Sequence, residues 1–182
     1  RGRPDAVVLR EKELDASSYE RLAWVVKGIC DKYGVRLIIH QNITVAENMG
    51  HPYLHLSLPA YRAYRQGEYP LQIGVSVHSV AEAREAQALG AVYLFAGHIY
   101  ETDCKKGVTP RGLPFLRQVC RSVAIPVFAI GGIARSNKRE VMEAGARGFC
   151  IMSEAMTCPE PAEFVQAYQA GVKEGFHRTA AD

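Results

Sequence analysis

The chain has 182 residues, of which 48% are hydrophobic and 23% charged, an ordinary composition for a globular domain. Lysine and arginine exceed aspartate and glutamate by three (22 against 19), which suits an anionic small molecule better than nucleic acid. No apolar run approaches the roughly 18 residues of a membrane span, and the first residues lack the apolar core of a signal peptide. These features predict one cytoplasmic domain over residues 1–182, without membrane or nucleic acid as partners.

The cysteines predict reduced thiols rather than disulfides or a metal site. Their number is odd, their spacing is irregular, and no CxxC pair occurs, which is typical of a protein in a reducing compartment. Cys104 lies in a polar loop beside Lys105 and Lys106, and the sequence does not assign this loop's thiol or its two cations a role. The five are Cys30, Cys104, Cys120, Cys150 and Cys158.

Seven short apolar segments predict β-strands. Several are almost continuously apolar instead of alternating, which favours strands covered on both faces, as in a parallel sheet. In chain order these segments are 6–9, 35–40, 53–57, 71–78, 92–97, 126–132 and 149–153.

Helical patterns lie between the strands. The clearest covers residues 17–32, where apolar residues recur at helical spacing and Gly34 predicts the end of the helix. The segments 46–50 and 60–66 are too short to assign. Capping boxes predict three helix starts, at Ser17 with Glu20, at Ser79 with Glu82 and at Thr157 with Glu160.

Regular alternation of strands and helices predicts right-handed βαβ crossovers and therefore a parallel sheet. The sheet could be an open doubly wound one or a closed (β/α)8 TIM barrel. The glycine fingerprint of the doubly wound fold does not follow the first strand. Glycines follow the second-to-last strand and a serine follows the last, where TIM barrels bind phosphate. We therefore predict an α/β (β/α)8 TIM barrel whose first strand–helix unit is absent, because only seven strands are found.

Two loops predict the phosphate site. Gly131 and Gly132 end one strand, and glycine lets backbone N–H groups approach an anion closely. Ser153 ends the last strand, where its hydroxyl and the following amides could complete an anion cradle. The alternative is that the two glycines only make a tight turn; two such loops at the last two strands favour phosphate.

Charged residues follow the first strand. Arg10 and Lys12 are two positions apart and would share a face of an extended chain, which predicts cations directed to one end of the sheet. The alternative is a solvated turn in which both cations alternate with Glu11 and Glu13. The strand ends are otherwise poor in carboxylates, so no metal site is predicted.

His98 directly follows a strand and the small Gly97, so it is a candidate proton-transfer residue. His40, His55 and His78 also lie at strand ends, where histidines often serve as structural hydrogen-bonding groups. Position alone does not distinguish His98 from these three.

Four motifs resemble a known family. "IGVSVHSVAEA", "GHIYETDCKKG", "IPVFAIGGI" and "EAGARGFCIMS" are similar to segments of the thiamine phosphate synthase/TenI superfamily, and the resemblance extends from Arg10 to about Ala170. It implies a (β/α)8 barrel and a phosphorylated small-molecule substrate. The oligomeric state stays open, with a homo-oligomer as one option.

Two motifs distinguish the branches of this superfamily. Synthases resemble one another at Asn-Asp-Arg and at His-Leu-Gly-Gln-Glu-Asp-Leu-Pro, whose aspartates hold Mg²⁺ for a diphosphate leaving group. Here the first place reads His40-Gln41-Asn42, and the second reads His55-Leu56-Ser57-Leu58-Pro59 without the acidic residues. These departures favour the TenI-like thiazole tautomerases, which are isomerases without a cofactor.

The tautomerase resemblance implies roles for the site residues. His98 would move the proton that aromatises a phosphorylated thiazole carboxylate, and His40 would replace an asparagine near the substrate. The alternatives are a thiamine phosphate synthase, joining a thiazole phosphate to a pyrimidine diphosphate, and a non-catalytic phosphate-binding regulator. The amides of Gly131, Gly132, Met152 and Ser153 would hold the phosphate, and Arg10, Lys12 and Lys105 would face the carboxylate or phosphate.

Overall fold

Seven strands form a single parallel sheet in a computed structural model that describes residues 2–64 and 70–170. Neighbours in the sheet follow chain order, which confirms the predicted α/β alternation and the number of strands. Positions 65 and 66 of the unassigned segment 60–66 lie outside the described residues. The strands are β1 (Ala6–Leu9), β2 (Arg36–His40), β3 (Tyr53–Ser57), β4 (Gln72–Val77), β5 (Tyr93–Gly97), β6 (Val127–Ile130) and β7 (Gly148–Cys150).

Within residues 2–64 and 70–170, eight α-helices connect and follow the strands, with one short 3₁₀ helix at Asp103–Lys105. In the described part of the chain, no helix is long and apolar enough to cross a membrane. The helices are α1 (Ala16–Tyr33), α2 (Ile43–Asn48), α3 (Leu58–Ala63), α4 (Val80–Ala88), α5 (Gly112–Ser122), α6 (Lys138–Glu143), α7 (Ser153–Thr157) and α8 (Pro161–Gln169).

The sheet runs from β1 at one edge to β7 at the other. Each strand pairs in parallel with the next, and within residues 2–64 and 70–170 the two edge strands do not pair with each other. Seven parallel strands with helices on one side are what a (β/α)8 barrel presents when one strand–helix unit is not part of the sheet. That arrangement agrees with the predicted fold.

One of the three predicted capping boxes is correct. Ser79 caps α4, since its Oγ accepts a hydrogen bond of 3.1 Å from the backbone N–H of Glu82. The cap of α1 is instead two residues earlier than predicted, because the carboxylate of Asp15 accepts from the N–H of Ser18 at 3.0 Å and caps the helix. The prediction at Thr157 is wrong, because this residue ends α7 and α8 starts only at Pro161.

The two faces of the sheet pack differently. Aliphatic side chains such as Leu37 and Leu94 fill the layer between the strands and the helices. On the opposite face Ile38 packs with three aromatic rings. The Tyr93 ring needs a small partner on the neighbouring strand β4: Gly74 pairs with Tyr93, and a Cβ there would overlap the tyrosine ring. Gly148 pairs with Phe128, and a Cβ there would lie a tight 3.0 Å from that ring.

Candidate active site

The predicted site residues lie at the carboxyl ends of the strands, which meet at one end of a parallel sheet. Arg10 and Lys12 follow β1 and are exposed, and Lys105 lies exposed in the loop after β5. The positive charges of Arg10 and Lys12 are close enough to His40, the last residue of β2, to lower the pKa of its imidazole. The remaining predicted residues follow later strands: His98 follows β5, Gly131 and Gly132 follow β6, and Met152 and Ser153 follow β7.

A group of stacked rings lies below this end of the sheet, and we call it the ring cluster: His40, His55, Tyr93, Phe95 and Phe128. The imidazole of His55 stacks on Phe95, with ring centroids 4.0 Å apart, and on His40, with centroids 6.0 Å apart and planes 14° from parallel. The strand register places the two histidines opposite each other on β2 and β3.

Both ring nitrogens of His55 are hydrogen-bonded. Nε2 lies 2.8 Å from the Oγ of Ser76, and Nδ1 lies 3.1 Å from the hydroxyl oxygen of Tyr93. The side chain is only 1% exposed, so these two partners and the stacked rings fix its orientation. Neither Ser76 nor Tyr93 was predicted as a site residue from the sequence. A serine and a tyrosine inside otherwise apolar strands did indicate buried polar groups that need partners.

Burial keeps both histidines uncharged. Desolvation, with a smaller contribution from His40, lowers the pKa of His55 to about 3. Desolvation, followed by the positive charges of Arg10 and Lys12, lowers the pKa of His40 to about 4. At neutral pH each imidazole therefore has one N–H donor and one nitrogen acceptor.

His98 is held in the wall of the site. Its Nε2 lies 3.0 Å from the carbonyl oxygen of Val108, which can only accept, so Nε2 is the donor of this hydrogen bond. Its Nδ1 is buried and has no hydrogen-bond partner among the described residues. The side chain is 5% exposed and the Gly97–His98 peptide bond is cis. Through this hydrogen bond the imidazole holds the loop after β5 at Val108.

The two glycines after β6 let neighbouring loops cross closely. Gly131 has φ 96° and Gly132 has φ 66°, a backbone region that favours glycine. A Cβ on Gly132 would lie 2.7 Å from the Cβ of Tyr100, so a side chain cannot fit there. The tight-turn alternative is therefore part of the explanation. Neither glycine's N–H donates a backbone hydrogen bond within the described ranges, so both amides remain available to an anion.

The loop after β7 is open to solvent. Met152 is 46% exposed, and Ser153 is the exposed first residue of the five-residue helix α7. Glu154 anchors this helix, because it accepts a hydrogen bond from Tyr168 and lies 3.8 Å from the guanidinium of Arg135. Among the described residues, no hydrogen bond joins Ser153 to the glycines after β6.

Comparison with known proteins identifies the family. Residues 1–155 match the thiamine monophosphate synthase family. The chain belongs to this family. A thiamine-phosphate synthase of Halalkalibacterium halodurans is 36% identical over 157 residues, covering 84% of this chain and 74% of that protein. One of Gloeobacter violaceus is 37% identical over 158 residues, which are 85% of this chain but only 46% of that longer protein.

Solved structures agree with the family assignment. Thiamine phosphate pyrophosphorylase from Pyrococcus furiosus superimposes with a TM-score of 0.80 at 28% identity, covering 92% of this chain and 82% of that one. A 3-hexulose-6-phosphate synthase superimposes with a TM-score of 0.65 at 17% identity, which supports the barrel fold alone. The chain is thus a member of an enzyme family with a barrel fold.

These comparisons correct the tautomerase interpretation. The superfamily resemblance is confirmed, but the named relatives are thiamine-phosphate synthases, which are transferases, so the isomerase prediction is wrong. The resemblance gave His98 its role as a base only through the tautomerase reaction, so that role is no longer supported. The misleading signal was the loss of the acidic motifs, which the sequence analysis treated as deciding between branches.

The residues at those motif positions do not fit the Mg²⁺ of the family's synthases. Asn42 caps α2, since its Oδ1 accepts from the N–H of Val45 at 3.4 Å, and Ser57 caps α3 in the same way through Ala60. In the described part of the chain, no group of three or more histidine, cysteine or acidic side chains could hold a metal ion. We therefore derive no catalytic step through a metal.

Proposed function

We propose that this protein is a thiamine-phosphate synthase. It would join a thiazole phosphate to a pyrimidine diphosphate: the bond between the pyrimidine methylene carbon and the diphosphate oxygen breaks, and the thiazole nitrogen bonds to that carbon. Diphosphate leaves with the electron pair of the broken bond. The observation that carries the proposal is the 36% identity to a thiamine-phosphate synthase over 74% of that protein's length.

The loops after β6 and β7 are the proposed site for the thiazole phosphate. The amides of Gly131 and Gly132 have no backbone acceptor among the described residues, and glycine lets such backbone N–H groups approach an anion closely. Met152 and Ser153, at the end of the neighbouring strand β7, would contribute further amides and a hydroxyl. Neutral donors suffice for a phosphate ester, because several N–H groups can share its charge.

The cations after β1 and β5 are the proposed partners of the diphosphate. Arg10 and Lys12 are exposed and close enough to His40 to depress its pKa. Lys105 is exposed on the loop after β5. Stabilising the leaving group's negative charge is the main catalytic contribution expected of these residues, since the reaction needs no proton transfer to release diphosphate.

The test is direct formation of product. The protein would be mixed with the thiazole phosphate and the pyrimidine diphosphate, with excess Mg²⁺ in one arm and EDTA in another. Thiamine phosphate would be measured by mass spectrometry. We expect product in at least one arm, and no product in either arm would contradict the proposal.

Variants connect the activity to the site. Arg10→Gln and Lys12→Gln should each lower kcat/KM about tenfold or more, because each removes a charge near the diphosphate. Lys32→Gln is the matched control, since Lys32 is exposed on α1 away from the carboxyl ends of the strands. Equal activity in all three variants would remove the cation pair from the mechanism.

A further inference from the structure

His40 differs from the other strand-end histidines in what its ring nitrogens contact. Both ring nitrogens of His55 have hydrogen-bond partners, and the Nδ1 of His78 lies 2.7 Å from the carbonyl oxygen of Gly97. His98 has one hydrogen-bonded ring nitrogen and one that is buried. The ring nitrogens of His40 have no hydrogen-bond partner in the described part of the chain. They are also not among the buried unpaired atoms, so they reach solvent.

The ring of His40 is held from below. It stacks nearly parallel on His55, and that imidazole is itself held by Ser76, Tyr93 and the face of Phe95. A ring supported on one face, with unpaired nitrogens at its accessible edge, is preorganised for hydrogen bonding to a ligand.

Charged groups lie near His40 as well. Arg10 and Lys12 both act on its imidazole, and the hydroxyl of Tyr19 accepts a hydrogen bond from its backbone N–H at 3.2 Å. Burial and the two cations keep the ring neutral near pH 7, so one nitrogen is a hydrogen-bond acceptor. An acceptor beside two cations matches a ligand with an amino-substituted ring and an anionic tail.

We propose that His40 recognises the amino-substituted pyrimidine ring of the diphosphate substrate by accepting a hydrogen bond from it, and that His55 is the positioning residue that orients His40. This inference rests on the proposed function. Different residues would then bind the two parts of the substrate: Arg10 and Lys12 bind the diphosphate, and the imidazole of His40 binds the pyrimidine ring. No atom of His40 takes part in bond breaking.

The first experiment compares two probes by calorimetry, the aminopyrimidine diphosphate and inorganic diphosphate. His40→Phe keeps a ring that can stack on His55 but removes the acceptor nitrogen. We expect about a tenfold loss of affinity for the pyrimidine probe and unchanged affinity for inorganic diphosphate. His40→Asn retains an acceptor and should stay within about threefold of the wild type. Equal losses for both probes, or none for either, would overturn the proposal.

The positioning role of His55 needs its own variant. Ser76→Ala removes one of the two hydrogen bonds that orient His55 without touching His40. It should lower affinity for the pyrimidine probe by about threefold to tenfold and leave inorganic diphosphate binding unchanged. A general structural defect would weaken both probes together, and that result would overturn the positioning role.

An NMR measurement on the unmodified protein does not depend on any variant folding. The unprotonated ring nitrogen of His40 should shift on addition of the pyrimidine probe and not on addition of inorganic diphosphate. The same shift with both probes would overturn the inference. Failure of the proposed function would look different. If His40 discriminates between the two probes but the protein forms no thiamine phosphate, the binding role of His40 stands and the synthase proposal is wrong.

Discussion

The Cα of His98 lies against Gly131 so closely that a Cβ on the glycine would stand 2.8 Å from it. Gly131 also has φ 96°, where a side chain is strained. We expect Gly131→Ala to lower the free energy of unfolding by about 1–3 kcal/mol, because the loops after β5 and β6 must separate. Urea denaturation would measure it.

The matched control is Gly28→Ala. Gly28 lies inside α1, and a Cβ there would have no atom within 4 Å. Alanine should raise the free energy of unfolding by about 0.5–1 kcal/mol, since it restricts the unfolded chain at no steric cost. If both substitutions changed the free energy of unfolding in the same direction, the close approach of the two loops would not explain the effect at Gly131.

Much of the fold could be predicted because its signals are local. Strand β1 was predicted with its correct bounds at Ala6–Leu9, and Gly34 ends α1 in the left-handed conformation expected of it. Helices α2 and α3 could not be assigned, because each has six residues and is stabilised by contacts with the sheet instead of by its own periodicity. Asp15 was missed as the cap of α1 because Ser17 and Glu20 offered a competing pattern.

The site was harder to predict because its contacts join distant residues. His55 is 21 positions from Ser76 and 38 from Tyr93, and nothing local indicates that they meet. His98 was singled out by the family resemblance, since its position after a strand did not distinguish it, and neither signal reveals that Val108 would occupy one of its nitrogens. Strand ends identify which residues can reach the site, and only the packed structure shows which nitrogens remain accessible.

The buried histidines predict loss of stability in acid. The pKa of His55 is about 3 in the folded protein and near 6.5 when unfolded, so below pH 6.5 the unfolded chain binds more protons. This single group should lower the free energy of unfolding by ~1.4 kcal/mol for each pH unit between about 6 and 4. Urea denaturation at several pH values would measure the slope.

His55→Phe is the variant that isolates this effect. It removes the hydrogen bonds that His55 makes with Ser76 and Tyr93, so stability at pH 7 should fall, but the slope with pH should become shallower by about one proton. His40 and His51 also have lowered pKa values and should keep part of the slope in the variant. An unchanged slope would show that His55 is not the group responsible.

Lys138 is expected to stabilise the end of α8. Its ammonium donates to the carbonyl oxygens of Ala167, Tyr168 and Ala170 at 2.8, 3.0 and 2.7 Å, next to the negative end of the helix dipole. Lys138→Gln should lower the free energy of unfolding by about 1–2 kcal/mol. Hydrogen exchange should show faster exchange of the α8 amides in particular.

Arg139→Gln is the neighbouring control for that substitution. Arg139 forms an exposed ion pair with Glu143 at 3.1 Å, one turn along the same helix. Such pairs contribute little, so the free energy of unfolding should change by less than about 0.5 kcal/mol. Comparable losses in both variants would mean that the helix end does not depend on Lys138.

The thiols should differ in reactivity. Burial raises the pKa of Cys120 to about 11 and that of Cys150 to about 12, so at pH 8 both remain protonated. Cys104 is exposed in the loop after β5. Iodoacetamide at pH 8 should therefore modify Cys104 first, as judged by peptide mass spectrometry, and Cys104→Ser should remove the fast phase. Equally rapid modification of Cys120 or Cys150 would contradict the packing described here.

The glycine–aromatic pairs on the face of the sheet opposite the helices make substitution on one strand depend on the residue at the neighbouring strand. Gly74 can gain a side chain only if Tyr93 becomes smaller, whereas a Cβ on Gly148 would require only a small shift of the Phe128 ring. Tyr93 also carries the hydroxyl that binds His55, so replacing it would remove one of the two hydrogen bonds that orient this imidazole. Descendants of this sequence are thus expected to change positions 74 and 93 together or to leave both alone, whatever selection acts on the substrate.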